Sequence, residues 1–213
     1  MKKLSLIAIV MVLLASCTKV TLDNKYVEES AEKDLAALVK KNLISEDEKT
    51  LLVEYVKAVE IVTEDGFTYS EILEYAKENQ AWKERNAKIQ KELDEKMSIS
   101  FTKKYSLTIW GEQKIAFDAL VRNNTDIDVN GFSFSVKLKD GKGKELLNGS
   151  WNSARDVVKA KSSKTINRFT MEYDNSDDDL AKLMAADLDK LTAEYHITSI
   201  IFGDGTSLEL EEP

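Results

Sequence analysis

The chain of 213 residues contains one cysteine and one histidine. A single cysteine excludes a disulfide framework within the chain, and the two together exclude a zinc site built from Cys and His ligands. Positive charge is also short. Lys and Arg number 30 against 38 Asp and Glu, a formal net charge of −8, so the chain has no long-range attraction to nucleic acid. It has no repeat of fixed period and no low-complexity tract. No apolar run reaches the ~20 residues of a membrane-spanning helix. The 43% hydrophobic content is ordinary for a chain that folds.

The strongest local signal lies at the start. Met1-Lys2-Lys3 is a short basic segment, and Leu4 to Leu14 is apolar apart from Ser5. A basic start and a short apolar run make a secretory signal peptide. Leu14-Ala15-Ser16-Cys17 follows, and it resembles the lipobox of bacterial lipoproteins. The resemblance implies cleavage before Cys17, a diacylglyceryl thioether on its sulfur and usually an acylated amine. Two or more chains suffice for stable anchoring without a spanning helix. It further implies a cell-envelope location. Thr18 rather than Asp after the Cys points to the outer membrane if the cell is Gram-negative. The expected organisation is a signal peptide over 1–16, then Cys17 and a polar tether over 17–25.

Residues 26–97 read as a helical region of about three helices. Val27, Ala31, Leu35, Leu38 and Val39 recur at helical spacing. Ser45 and Glu48 form a capping box, and Thr68 and Glu71 a second one. Phe67 and Ile72 are spaced as a hydrophobic staple around the second box. Between the boxes, Leu51, Leu52, Tyr55, Val59 and Val62 form a stripe that Asp65-Gly66 ends. The last helix runs without Gly or Pro to Met97, about 44 Å at 1.5 Å per residue. Its apolar face thins after Trp82 to Ile89, Leu93 and Met97, while Asn79 and Asn86 spoil a coiled-coil seam. A helix this polar needs something to pack on. Trp82 and Ile89 are therefore the candidate interaction surface, facing either the β domain or a partner.

From Ile99 the apolar period changes to two. The alternating runs are Ile99 to Phe101, Tyr105 to Ile109, Ile115 to Val121, Phe132 to Leu138, Leu146 to Trp151, Thr165 to Tyr173, Ile197 to Phe202 and Ser207 to Leu210. Asp204-Gly205 signals a type I′ hairpin. A helical segment over 177–191, with Ser176 as N-cap, interrupts the series. The expected fold class is α+β, with helices first and then an antiparallel Ig-like β-sandwich over 98–213 carrying one inserted short helix. The stretches Phe117-Asp118-Ala119-Leu120-Val121-Arg122-Asn123-Asn124-Thr125, Gly131 to Lys144 and Ile201 to Thr206 resemble the small Ig-like FxLYD-type domains of bacterial envelope proteins. Lys137-Leu138-Lys139-Asp140 departs from the aromatic-Asp ending of that family. The resemblance implies an adhesive or structural module and carries over no catalytic residue.

No constellation for catalysis stands out. His196 lies on an alternating strand, and no Gly-x-Ser-x-Gly elbow exposes a serine. Asp174 to Asp179 lacks the Gly and Glu of a calcium loop at the sixth and twelfth positions. Gly141-Lys142-Gly143-Lys144 lacks phosphate-loop spacing and reads as a hairpin turn. Asn123-Asn124-Thr125 and Asn148-Gly149-Ser150 are formal glycosylation sequons. Trp82, Trp110 and Trp151 would make a sugar platform only if they converged. The functional expectation is a lipid-anchored envelope protein that binds another envelope protein or serves a structural role, with no catalysis, metal or cofactor. Carbohydrate or small-ligand binding is the alternative, and hydrolysis the second.

Overall fold

The computed structural model describes residues 20–59, 66–154, 156–174 and 176–212. The expected signal peptide and Cys17 lie outside them, as do Val62 and Asp65. The fold is α+β, with most of the helices first and two antiparallel sheets after. The chain divides into two compact units between Trp82 and Lys83, inside its longest helix.

The N-terminal unit holds α1 (Glu28–Lys40), α2 (Glu46–Val59) and the first half of α3 (Tyr69–Lys96). Ala31, Leu35 and Leu38 bury one stripe of α1 against Leu52, Tyr69, Ile72 and Leu73. Asn42, at a φ of 54°, closes α1 in the left-handed conformation, and the Leu43 N–H bonds the Leu38 carbonyl at 3.0 Å. Both capping boxes form. The Glu48 N–H donates to Ser45 Oγ at 3.1 Å and the Ser45 N–H to Glu48 Oε2 at 2.8 Å. The Glu71 N–H donates to Thr68 Oγ1 at 3.2 Å and the Thr68 N–H to Glu71 Oε2 at 2.8 Å. The expected staple differs. Ile72 turns into the core, and Phe67 stays 42% exposed with its ring edge-on to Tyr75.

Two further expectations are corrected here. Val27 precedes α1 and is exposed instead of extending its stripe. Residues 20–25 are not a free tether. Val20 and Leu22 pack on the helical core. The Leu22 and Asn24 carbonyls accept from Ser70 and Tyr69, and Lys41 Nζ donates to the Val20 carbonyl. Buried backbone polar groups need such partners, so a segment threaded along helices becomes part of the unit.

The C-terminal unit takes the second half of α3, which passes directly into β1 (Met97–Ile109). Then come β2 (Glu112–Asn123), β3 (Val129–Lys139), β4 (Glu145–Ser153), β5 (Ser163–Glu172), α4 (Asp178–Ala185), β6 (Thr192–Phe202) and β7 (Ser207–Glu209). The sheets run β1-β2-β5 and β4-β3-β6-β7, every pairing antiparallel. The chain crosses between sheets after β2, β4 and β5, as an Ig-like sandwich requires. Inner-facing residues alternate along each strand. They meet in an aromatic centre where Phe101 stacks on Phe117 at 4.3 Å and Phe134 on Trp151 at 5.7 Å. This core also contains Leu93 and Met97, so the sandwich reaches back into α3 beyond the point where the period changes.

Strand β1 carries a bulge at Thr102, where Phe101 pairs with Ala119 and Lys103 with Asp118. The extra residue reverses the alternation. Ile99 and Phe101 face inward, whereas Tyr105, Leu107 and Ile109 share the outer face with Asp118. The Asp204-Gly205 turn is also not type I′. Only Gly205 has positive φ, the loop spans Gly203 to Thr206, and Asp204 Oδ1 accepts from the Thr206 N–H and Oγ1. The N-cap of α4 is Asp177, whose carboxylate accepts from the Asp179 and Leu180 N–H groups. Ser176 instead bonds Asp174.

Candidate functional site

Several sequence-level candidates resolve into structural roles. Asp174 Oδ1 closes a turn on Ser176, Asp177 caps α4, and Asp179 pairs with Lys144 and Lys182. Among the described residues no group of three or more His, Cys, Asp or Glu could hold a metal ion. Gly141 to Lys144 is the β3–β4 turn, with Asp140 Oδ1 accepting from the Lys142 and Lys144 N–H groups. Asn123 of the first sequon is 1% exposed. Its Nδ2 donates to the Ile127 and Val158 carbonyls at 2.8 and 3.1 Å, and its Oδ1 accepts from Thr125. The amide therefore ties the end of β2 to the two loops that carry Ile127 and Val158.

Asp118, 8% exposed, sits where bulges in both neighbouring strands meet. Its Oδ1 accepts from Tyr105 Oη at 2.9 Å and from the N–H of Arg168 at 3.2 Å, the latter residue held at a φ of 68°. Burial and this bond to Asp118 push the Tyr105 phenol up. Lys104, turned inward by the Thr102 bulge, donates to the Leu183 and Met184 carbonyls at the end of α4. Its pKa falls because burial disfavours the ammonium. A cation there complements the helix dipole and holds the inserted helix in place.

The second half of α3 is attached by polar groups as well as apolar ones. Asn86 donates from Nδ2 to the Glu211 carbonyl at 2.9 Å and accepts the Glu211 N–H at 2.8 Å. Arg85 Nε lies 2.9 Å from the Glu211 carboxylate, and Gln90 Nε2 donates to the Ile197 carbonyl at 3.0 Å. Ile89 is half-buried against the sandwich core, and Trp82 is half-buried on the same helix. Asn86, which spoils a coiled-coil seam in the sequence, is one of the pins.

The three tryptophans take different roles. Trp151 belongs to the core, its Nε1–H bonding the Thr170 carbonyl at 3.0 Å. Trp110 lies at the tip of the β1–β2 hairpin and is 97% exposed. Ile109 and Glu112 are the last pair, so the turn consists of Trp110 and Gly111, at φ of 51° and 84°. Two positive φ angles define a type I′ turn, which favours Asn-Gly. A non-glycine L-residue in that region costs roughly 1–2 kcal/mol. Exposed and strained, this tryptophan contributes nothing evident to folding. The sequence signal that could have found it is Gly111 between two alternating strands.

No family model matches this sequence, and no curated protein does. Solved structures give faint likenesses. A structural-genomics target, SoR45, is 9% identical over 56% of this chain and 85% of that one, with a TM-score of 0.29. A protein from Archaeoglobus fulgidus is 16% identical over 55% and 97%, TM-score 0.27. The Salmonella enterica trimeric lipoprotein SadB is 12% identical over 80% and 86%, TM-score 0.27. Likeness at this level says nothing about ligand, partner or assembly. Among the described residues no helix is long and apolar enough to cross a membrane.

Proposed function

We propose that this chain is a lipid-anchored cell-envelope protein, held through acylated Cys17, that binds another envelope protein or serves a structural role and performs no catalysis. In a Gram-negative cell the anchor would sit in the outer membrane. The lipobox supports the anchoring half of the reading. Trp110 carries the binding half. Strained backbone persists where surrounding structure and use demand it, and exposed aromatics that fill a partner's pocket dominate interface energies. Tyr105, Leu107 and Ile109 are half-buried on the outer face that leads to this tip, which extends the apolar surface beyond one side chain.

The test is Trp110→Asn. Asn suits a left-handed position, so the variant should keep its stability or gain up to about 1 kcal/mol. Crosslinking in native envelopes should then lose adducts that the wild type forms. An unchanged adduct pattern would refute the binding role. Cys17→Ser separately tests the anchor: it should abolish fatty-acid labelling and membrane retention, and equal retention would remove that half.

A further inference from the structure

We infer that the groove between α1 and α2 is a self-association face that receives a second copy of this chain. The groove has a volume of about 720 Å³. Its floor is apolar, formed by Ala31 and Leu35 from α1 and Leu52, Val53 and Val56 from α2. Helix α2 makes this floor because its own burial is poor. Leu52 is fully buried, whereas Leu51, Val53, Tyr55 and Val56 are only half-buried and Val59 is 49% exposed. An amphipathic helix draws most of its stability from burying its apolar face, and here much of that face remains open.

The charges on the rim select the occupant. On the α1 side the charged groups lining the groove are Glu28 and Glu32; on the α2 side they are Lys49 and Lys57. One wall is therefore acidic and the other basic. Among the described residues Glu28, Glu32 and Lys57 form no ion pair, and Lys49 pairs only with Glu46 of its own helix. The two helices are joined by Lys41 to Ser45, a connection short enough to make them antiparallel neighbours. Glu28 near the start of α1 then lies level with Lys57 near the end of α2.

A two-fold axis parallel to the groove lays α1 of one copy over α2 of the other. Each acidic wall meets a basic wall, and the two apolar floors close on each other. A closed dimer needs a self-complementary patch of this kind. The other in-plane axis would set like charges together, which suppresses that register.

The arrangement predicts an asymmetric result from two charge variants. Glu28→Lys with Glu32→Lys makes both walls basic, and Lys49→Glu with Lys57→Glu makes both acidic. Each variant alone should dimerise at least about tenfold more weakly than wild type, because like-charge contacts disfavour association. Mixed in equal amounts they should form a heterodimer about as tight as the wild-type dimer, since every wall then meets its opposite. Sedimentation equilibrium of the mature chain carrying Cys17→Ser reads this without acyl chains, and circular dichroism checks that helix content is kept. If a charge variant loses helix, Val53→Arg, on the groove floor, replaces it and should yield a monomer. A wild type that stays monomeric at high micromolar concentration overturns the proposal. So does a mixture of folded variants that fails to associate, or a Val53→Arg chain that still dimerises. Uptake of cis-parinaric acid by a monomeric wild type would assign the groove to a fatty acyl ligand instead.

Discussion

Replacing Leu93 with alanine tests whether the long helix is part of the sandwich. Leu93 lies on α3, yet it is 0% exposed and belongs to the same core as Phe101, Phe117 and Phe134. Alanine is a better helix former than leucine, so the helix itself should not suffer. The loss is then the buried side chain plus the cavity left behind, about 3 kcal/mol within the usual range for a fully buried Leu→Ala change. For a unit of this size that lowers Tm by roughly 10 °C. Urea unfolding followed by tryptophan fluorescence gives a suitable assay. Trp151 is stacked in the aromatic centre and responds when the sandwich opens, Trp110 is already 97% exposed and contributes a constant signal, and half-buried Trp82 is replaced by Phe in every variant so that the sandwich alone is read. The sandwich transition should move to lower urea with its slope preserved. Tyr75→Ala, at a position 46% exposed on the same helix, serves as control and should leave that transition in place. A loss below about 1 kcal/mol for Leu93→Ala, where a real cavity costs several times more, would refute the view that α3 completes the sandwich core.

Other outcomes follow from the polar groups. Asn123→Asp keeps the shape but turns a double donor into an acceptor facing the Ile127 and Val158 carbonyls. It should cost roughly 3 kcal/mol or more, because a buried charge is left unpaired, and an unshifted urea midpoint would contradict the assigned bonds. Acid should destabilise the protein. The Lys159 ammonium and the Ala160 N–H hold Asp128 low, the Lys144 and Lys142 N–H groups hold Asp140 low, and the Lys164 ammonium holds Asp156 low. Folded pKa values below the unfolded ones give stability that is present above about pH 4–5 and is lost as pH falls through the folded values. A urea midpoint that stayed flat between pH 6 and pH 3 would count against these bonds. At the alkaline end, burial raises the Tyr69 and Tyr195 phenols. The unfolded chain then ionises first, and stability should fall as pH rises above about 10.

What the sequence determined by itself is what a few neighbouring residues decide together. The two capping boxes are bonds between residues three apart, so their spelling suffices, and both form as read. The strands of the sandwich follow from alternation, which any half-buried strand must show. Where a reading depended on which of two adjacent residues wins a local competition, it failed. Asp177 outbids Ser176 for the cap of α4 because Ser176 already bonds Asp174, and the Asp204 loop opens to four residues because the Asp204 carboxylate folds back onto Thr206.

Only the tertiary structure decided the rest, because partners far apart in the chain supply the energy. Leu93 and Met97 look like a fading helical stripe until the two sheets close around them. Asn86 looks like a flaw in a heptad until Glu211, 125 residues away, pairs with its amide. Tyr105, Leu107 and Ile109 alternate as a core strand should, but one bulge at Thr102 turns them outward. Trp110 reads as one more aromatic, and only its position in a two-residue turn leaves it fully exposed. The acidic and basic walls of the α1–α2 groove are ordinary helix charges in the sequence. Their opposition exists because folding lays one helix antiparallel to the other.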